Sequence, residues 1–159
     1  MEDKEIALKL VLDAMDEDAS IATQNEILRI QNAIYIAQVC GVPLGYGFRW
    51  HTKEPYSSDL TQDCYDLNAA LGAGYDEVCK YHLNASLDGC ISRIRECLKV
   101  PFNVKRDDWY DTICSLHYLI EASGKSSDEA VNFIREVKPH LSDMVDAAHA
   151  RLSQFNLLN

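Results

Sequence analysis

Proline and glycine are scarce in this sequence, four and seven residues in a chain of 159. With 47% hydrophobic and 25% charged residues, that scarcity excludes collagen-like and disordered chains and fits an ordinary globular domain. No run of about 18 apolar residues occurs, so no membrane span is expected. The opening MEDKEIALKLVLDAMDED is acidic and periodic, unlike a signal peptide. Bases are outnumbered, 15 against 25 acids, and the net charge of −10 argues against a free-standing nucleic-acid binder that works by neutralising phosphates. A chain of this length buries roughly 70% of its unfolded surface and needs no metal or disulfide staple.

Chemical motifs are scarce as well. Gly41, Gly45 and Gly47 surround a strand start, and no Lys-Ser or Lys-Thr follows to make a phosphate loop. GxSxG and HExxH are both missing. The six cysteines (Cys40, Cys64, Cys79, Cys90, Cys97 and Cys114) contain no CxxC, and the five histidines supply no close ligand pair. They read as reduced, mostly buried thiols of a cytoplasmic protein. No metal, cofactor or catalytic residue is assigned. Cys114 and His117 stand at i and i+3 on one helix, where side chains run alongside each other instead of converging on a substrate. His117 is expected to pack among aromatics with an internal hydrogen bond. Asp107, Asp108 and Asp111 open a helix, where its dipole favours carboxylates.

What is present is charge with an address. Residues 1–80 carry 14 acids against 6 bases, and residues 81–159 carry 11 against 9. Asp13, Asp16, Glu17 and Asp18 form an acidic cluster, read either as a solvated helix face or as a surface that meets a basic partner. Arg93, Arg95, Lys99, Lys105 and Arg106 form a small basic stretch in the second half.

The periodicity predicts a mainly α chain. Helices are expected over 4–16 (inward stripe Ala7, Leu10, Val11, Ala14) and from the capping box Thr23–Glu26 to Cys40. On the second helix Gln24, Gln31 and Gln38 share a face that is either exposed or an interaction seam. Residues 46–52 alternate as a half-buried strand, with Tyr46, Phe48 and Trp50 on one side and Arg49 and His51 on the other. After the turn at Pro55, Ser57 or Ser58 caps a helix to Leu71. Residues 75–83 alternate again and read as a second strand, with helix as the competitor. Helices follow over 87–99, 107–122, 126–137 (opened by the box Ser126–Glu129) and 140–155. The fold class is thus a compact multi-helix domain with one small two-stranded β element and a winged-helix-like N-terminal half. It is one domain, with an N-terminal lobe of about 1–85 and a helical lobe of about 86–159.

The stretch from Tyr46 to Tyr56 is rich in large rings beside a turn, a composition that either plugs one end of a core or marks an interface. Its residues, with those before it, carry a resemblance. Ile30-Gln-Asn-Ala-Ile-Tyr-Ile-Ala-Gln38, Gly41-Val-Pro43, Tyr46-x-Phe48 and Glu54-Pro-Tyr-Ser57 followed by Leu60 match, in order and spacing, a pattern LQKxxYxLQ, GIP, YxFxxxxxGPYS. The segment resembles the YwgA-like proteins of bacteria over roughly residues 27–71, and more loosely the SocA-like (Panacea) antitoxin domain. Glu54 stands where that pattern has the turn glycine, so the backbone there must avoid a positive φ. The resemblance implies no enzymatic activity. It implies a small accessory, regulatory or antitoxin-like subunit of a bacterial or phage-borne defence system, binding a larger effector. Under it Tyr46, Phe48, Trp50, Pro55, Tyr56 and Ser57 are chiefly architectural, with Arg49 and His51 exposed beside them. Two alternatives remain open: a winged-helix-like nucleic-acid regulator using the basic stretch, and an acidic DNA mimic using the N-terminal cluster.

Overall fold

Each predicted helix has a counterpart in the computed structural model, which describes residues 1–75 and 77–159. In chain order these are α1 (Asp3–Ala14), α2 (Gln24–Val39), α3 (Ser58–Gly72), α4 (Asp88–Leu98), α5 (Arg106–His117), α6 (Ser127–Val137) and α7 (Val145–Gln154). A hairpin of β1 (Arg49–His51) and β2 (Glu54–Tyr56) stands between α2 and α3. The fold is mainly α, with one small antiparallel sheet. Both predicted capping boxes form: the hydroxyls of Thr23 and Ser126 accept the amides of Glu26 and Glu129, whose carboxylates accept the cap amides in return. Ser57 caps α3 by accepting the amide of Leu60.

α2 is central, because every residue from Ile30 to Ala37 is buried. It packs on α5, which in turn packs on α7, and one buried cluster runs from Leu8 on α1 to Leu152 on α7. On α7 and the turn before it, Leu141, Val145, Ala148 and Leu152 are fully buried, while Phe155, at the same spacing, is half-buried.

Two expectations are corrected. α1 buries Leu8, Val11, Leu12 and Met15, and leaves Ala7, Leu10 and Ala14 only partly covered. Both stripes have helical spacing, but the leucines and methionine remove far more apolar area from water than the alanines. The second strand lies at 54–56 and not at 75–83. The described part of 75–83 holds only a 3-10 turn at Val78–Lys80, with Val78 buried and Tyr75 and Tyr81 exposed; Asp76 falls outside the described residues. A two-residue turn, Thr52-Lys53, brings β2 to β1 with little loop-closure cost, whereas 75–83 would have to return across a whole helix. The alternation of helix, strand, helix and strand behind the winged-helix comparison is therefore replaced by two helices, a hairpin and a helix. The left-handed residue of this turn is Thr52 (φ 59°), which leaves Glu54 in an extended strand position that tolerates its side chain.

Two helices also end irregularly. The predicted helix 107–122 passes after His117 into a π-helical turn, Tyr118–Ala122. The predicted helix 140–155 begins as a 3-10 segment, Pro139–Met144, before α7.

Candidate functional site

The aromatic stretch is built into the body of the protein. Phe48 meets the Tyr35 ring edge-on at 5.1 Å between centroids. Trp50 lies between Tyr118 and Phe133, with the Lys138 ammonium 5.4 Å from its ring centre, and its amide donates to the Tyr118 hydroxyl. Tyr46 donates from its hydroxyl to Asp63 at 2.7 Å. Pro55 and Ser57 are buried, and the Tyr56 hydroxyl accepts from Thr61. Arg49 and His51 are exposed, with His51 stacked on Tyr56 at 5.5 Å.

The glutamine series explains how this stretch is held. Gln31 accepts the Ser57 amide at 2.8 Å and donates to the Ser57 carbonyl at 2.9 Å and to the Thr61 hydroxyl at 2.8 Å. Gln38 does the same for Tyr46, accepting its amide at 2.7 Å and donating to its carbonyl at 2.9 Å. Each carboxamide thus imitates a ladder partner for one backbone residue, and the two pin residues 46 and 57 on either side of the hairpin. Gln24 is exposed and takes no part.

The nucleophilic pair is locked. The buried Cys114 thiol donates to the Asn32 carbonyl at 3.2 Å, and burial pushes its pKa well up. His117 is buried with Nδ1 2.7 Å from the Tyr35 hydroxyl, and burial lowers its pKa. Burial likewise raises Cys40 to about 11 and Cys64 and Cys97 to about 12, which keeps these thiols protonated and weakly nucleophilic. None of the six cysteines is in a disulfide; Cys79 is exposed and Cys90 half-buried.

The acidic and basic clusters touch. Arg95 on α4 pairs with Asp16 at 2.6 Å and donates to the Ala14 carbonyl, satisfying the C-terminus of α1. Arg93 donates to the Phe155 carbonyl beyond α7. Lys99, Lys105 and Arg106 are exposed. Asp13 is paired with Lys9, and Asp18 accepts the Ser20 amide. Glu17 differs from its neighbours: it is buried, 6% exposed, and accepts the Tyr110 hydroxyl through Oε1, while Oε2 has no partner. Burial is the chief reason its pKa is raised. It cannot present a charge to a partner from that position.

A site the sequence did not disclose lies where α2, β2, α5 and the turn after α6 converge. A cavity of about 180 Å³ is lined by Asn25, Leu28, Arg29 and Asn32 of α2, Glu54 of β2, Asp107, Asp108 and Asp111 of α5, and His140. Arg29 grips Asp107 through two bonds of 2.6 and 3.2 Å, tying α2 to α5. Lys138, itself 3% exposed, donates to Asp111 at 2.6 Å and to Ser115 at 3.0 Å. Two of the four carboxylates are thereby matched to cations. The carboxylates of Glu54 and Asp108 have no hydrogen-bond or ion-pair partner among the described residues. Burial raises the Glu54 pKa, opposed by Lys138 and His51 and reinforced by Asp111.

Asn32 is the most telling member. It is 5% exposed, and its side-chain amide makes no hydrogen bond to any described residue. Among the described residues the fully buried unpartnered side-chain atoms are Glu17 Oε2 and Trp109 Nε1; the Asn32 carboxamide instead keeps solvent access at the cavity it lines. The signals in the sequence were faint: a lone Asn inside an apolar helix, Glu in place of a turn glycine, and a run of aspartates that capping alone accounts for. Metal binding is not what the geometry offers, since no three His, Cys, Asp or Glu side chains among the described residues are grouped to hold an ion. Among the same residues no helix is long and apolar enough to cross a membrane. Comparison with protein-family models, with curated proteins and with solved structures finds no match to this chain.

Proposed function

We propose that the protein is a non-enzymatic binding subunit that docks a larger protein through the pocket between α2, β2 and α5. The observation that carries this reading is the set of side chains without hydrogen-bond partners at that pocket, set against the locked Cys114 and His117. Cys114 and His117 are turned into internal hydrogen bonds, while Asn32, Glu54 and Asp108 line a cavity with none. The resemblance to YwgA-like and SocA-like proteins supplies the class of partner: an effector or toxin of a bacterial or phage-borne system, toward which this chain is accessory or antitoxin-like.

The other readings draw less support from the same geometry. Arg93 and Arg95 each hold a backbone carbonyl, which ties part of the basic stretch to the fold and away from phosphates. Of the acids needed for a DNA mimic, Glu17 is buried and Asp13 and Asp16 are in ion pairs.

Affinity purification of the tagged full chain from its native host tests the proposal. A stoichiometric larger protein is expected, recovered less well with a Glu54→Gln/Asp108→Asn double variant. Recovery of no stoichiometric protein would overturn the reading.

A further inference from the structure

Resting on that reading, we infer that the pocket receives the cationic head of a basic side chain, a guanidinium or an ammonium, presented by the partner polypeptide. The cavity of about 180 Å³ admits a side-chain head group and opens beside a wider groove along Asn25, Arg29, Lys105 and Arg106. Its unmatched groups include three hydrogen-bond acceptors. After Arg29 is assigned to Asp107 and Lys138 to Asp111, the carboxylates of Glu54 and Asp108 remain, together with the Asn32 carboxamide oxygen.

An anion would be repelled by both carboxylates. A neutral apolar group would leave Asn32 bare. A bare divalent ion finds no three suitable side chains among the described residues. A nitrogen cation with several N–H donors answers all three acceptors at once, and Leu28 provides an apolar wall for its alkyl stem. Removing the pair of negative charges from water is unfavourable until such a cation arrives, and burial already pushes Glu54 toward its neutral form. An arriving cation favours the charged form of Glu54.

The test is a titration of the isotopically labelled full chain, followed by NMR at the Asn32 side-chain amide. Four probes are used: Nα-acetyl-arginine amide, Nα-acetyl-lysine amide, the uncharged citrulline analogue, and agmatine, a free small cation bearing both a guanidinium and an ammonium. Saturable shifts at Asn32 are expected with the arginine or lysine derivative and not with citrulline. Glu54→Gln should weaken that binding about tenfold, in line with loss of one charge-assisted hydrogen bond. Glu54→Gln preserves side-chain shape, and an unchanged circular dichroism spectrum separates loss of binding from loss of fold.

Equal shifts with citrulline, or none with any probe, would overturn the inference. Binding of agmatine without binding of either amino-acid derivative would also overturn it, since the occupant would then be a free small cation and not a side chain carried on a polypeptide. The two proposals fail in distinguishable ways. A partner that copurifies equally with wild type and Glu54→Gln leaves the binding-subunit reading standing and removes this one. A pocket that takes arginine derivatives in a protein with no partner overturns the binding-subunit reading and the polypeptide source of the cation, and leaves only the pocket's selectivity for a basic head.

Discussion

Two buried amides one residue apart on α2 are treated in opposite ways. Gln31, 1% exposed, makes three hydrogen bonds to Ser57 and Thr61; Asn32, 5% exposed, makes none through its side chain. Burial alone therefore does not separate architecture from a binding site. The side facing α3 and the hairpin is saturated, and the side facing α5 keeps acceptors open. Glu17 falls between them, with one oxygen engaged by Tyr110 and the other bare. Substitutions that remove engaged groups should damage the fold, and those that remove bare ones should not.

The largest effect is expected at Lys138, which closes the saturated network behind the pocket. Lys138→Met removes the partner of Asp111 and Ser115 and the cation above Trp50. Breaking a buried pair typically costs about 3–5 kcal/mol. The low end, about 3 kcal/mol, applies because the Asp111 side chain keeps 18% exposure and can be rehydrated. Urea unfolding should show a lower midpoint with an unchanged slope. A loss below about 1 kcal/mol would mean that this network adds nothing beyond a surface pair.

Gln31→Leu comes next. Leucine fills the space but leaves the Ser57 amide without its acceptor, for about 2–3 kcal/mol by the cost of a buried unsatisfied donor plus the lost bonds. Because Gln31 holds residue 57, the damage should reach the hairpin, read as faster amide exchange at Arg49 and Trp50 than at α7. Uniform exchange changes would break the link between the glutamines and the hairpin.

Much of this saturated side was legible beforehand. Capping boxes are local chemistry, written within four residues at Thr23–Glu26 and Ser126–Glu129, and the seven-residue recurrence of Gln31 and Gln38 marked a common face. What that face met was not legible, because its partners are backbone groups of Ser57 and Tyr46, and any residue type could have supplied them. The bare side was harder still. Asn32, Glu54 and Asp108 come from three elements, and only the packing of α2 on α5 brings them together. The burial of Glu17 depends in the same way on Tyr110, ninety-three residues away. The strand expected at 75–83 failed because alternation describes a surface and not the partner that must cover it.

Glu17 provides a smaller, pH-dependent effect. Burial raises its carboxyl above the ordinary value of 4.5, opposed by the Tyr110 hydroxyl, Arg106 and Arg29 and reinforced by Asp107. Between the unfolded and the raised folded value, the native state binds more protons than the unfolded chain. Stability must therefore fall as pH rises from about 4.5 through the raised value, and level off above it. Glu17→Gln keeps an acceptor for Tyr110 and removes the titration. Its stability relative to wild type should grow across that window, measured by urea unfolding at a series of pH values. A constant difference would mean that Glu17 is hydrated in the native state.

The smallest change in stability is expected at Asn32, and it separates the two sides of α2 most sharply. Leucine is close in size to asparagine, and it replaces an unpartnered buried amide with apolar surface. The fold loses no side-chain hydrogen bond, so Asn32→Leu should change stability by less than about 1 kcal/mol, well below the loss for Gln31→Leu on the adjacent residue. Binding should move the other way, because the carboxamide oxygen that completes the acceptor set is lost while Glu54 and Asp108 remain. A variant of unchanged stability that no longer takes the arginine probe is the signature of a group kept for a ligand and not for the fold. A variant destabilised as much as Gln31→Leu would instead place Asn32 with the architecture, leaving the pocket as two carboxylates and a gap.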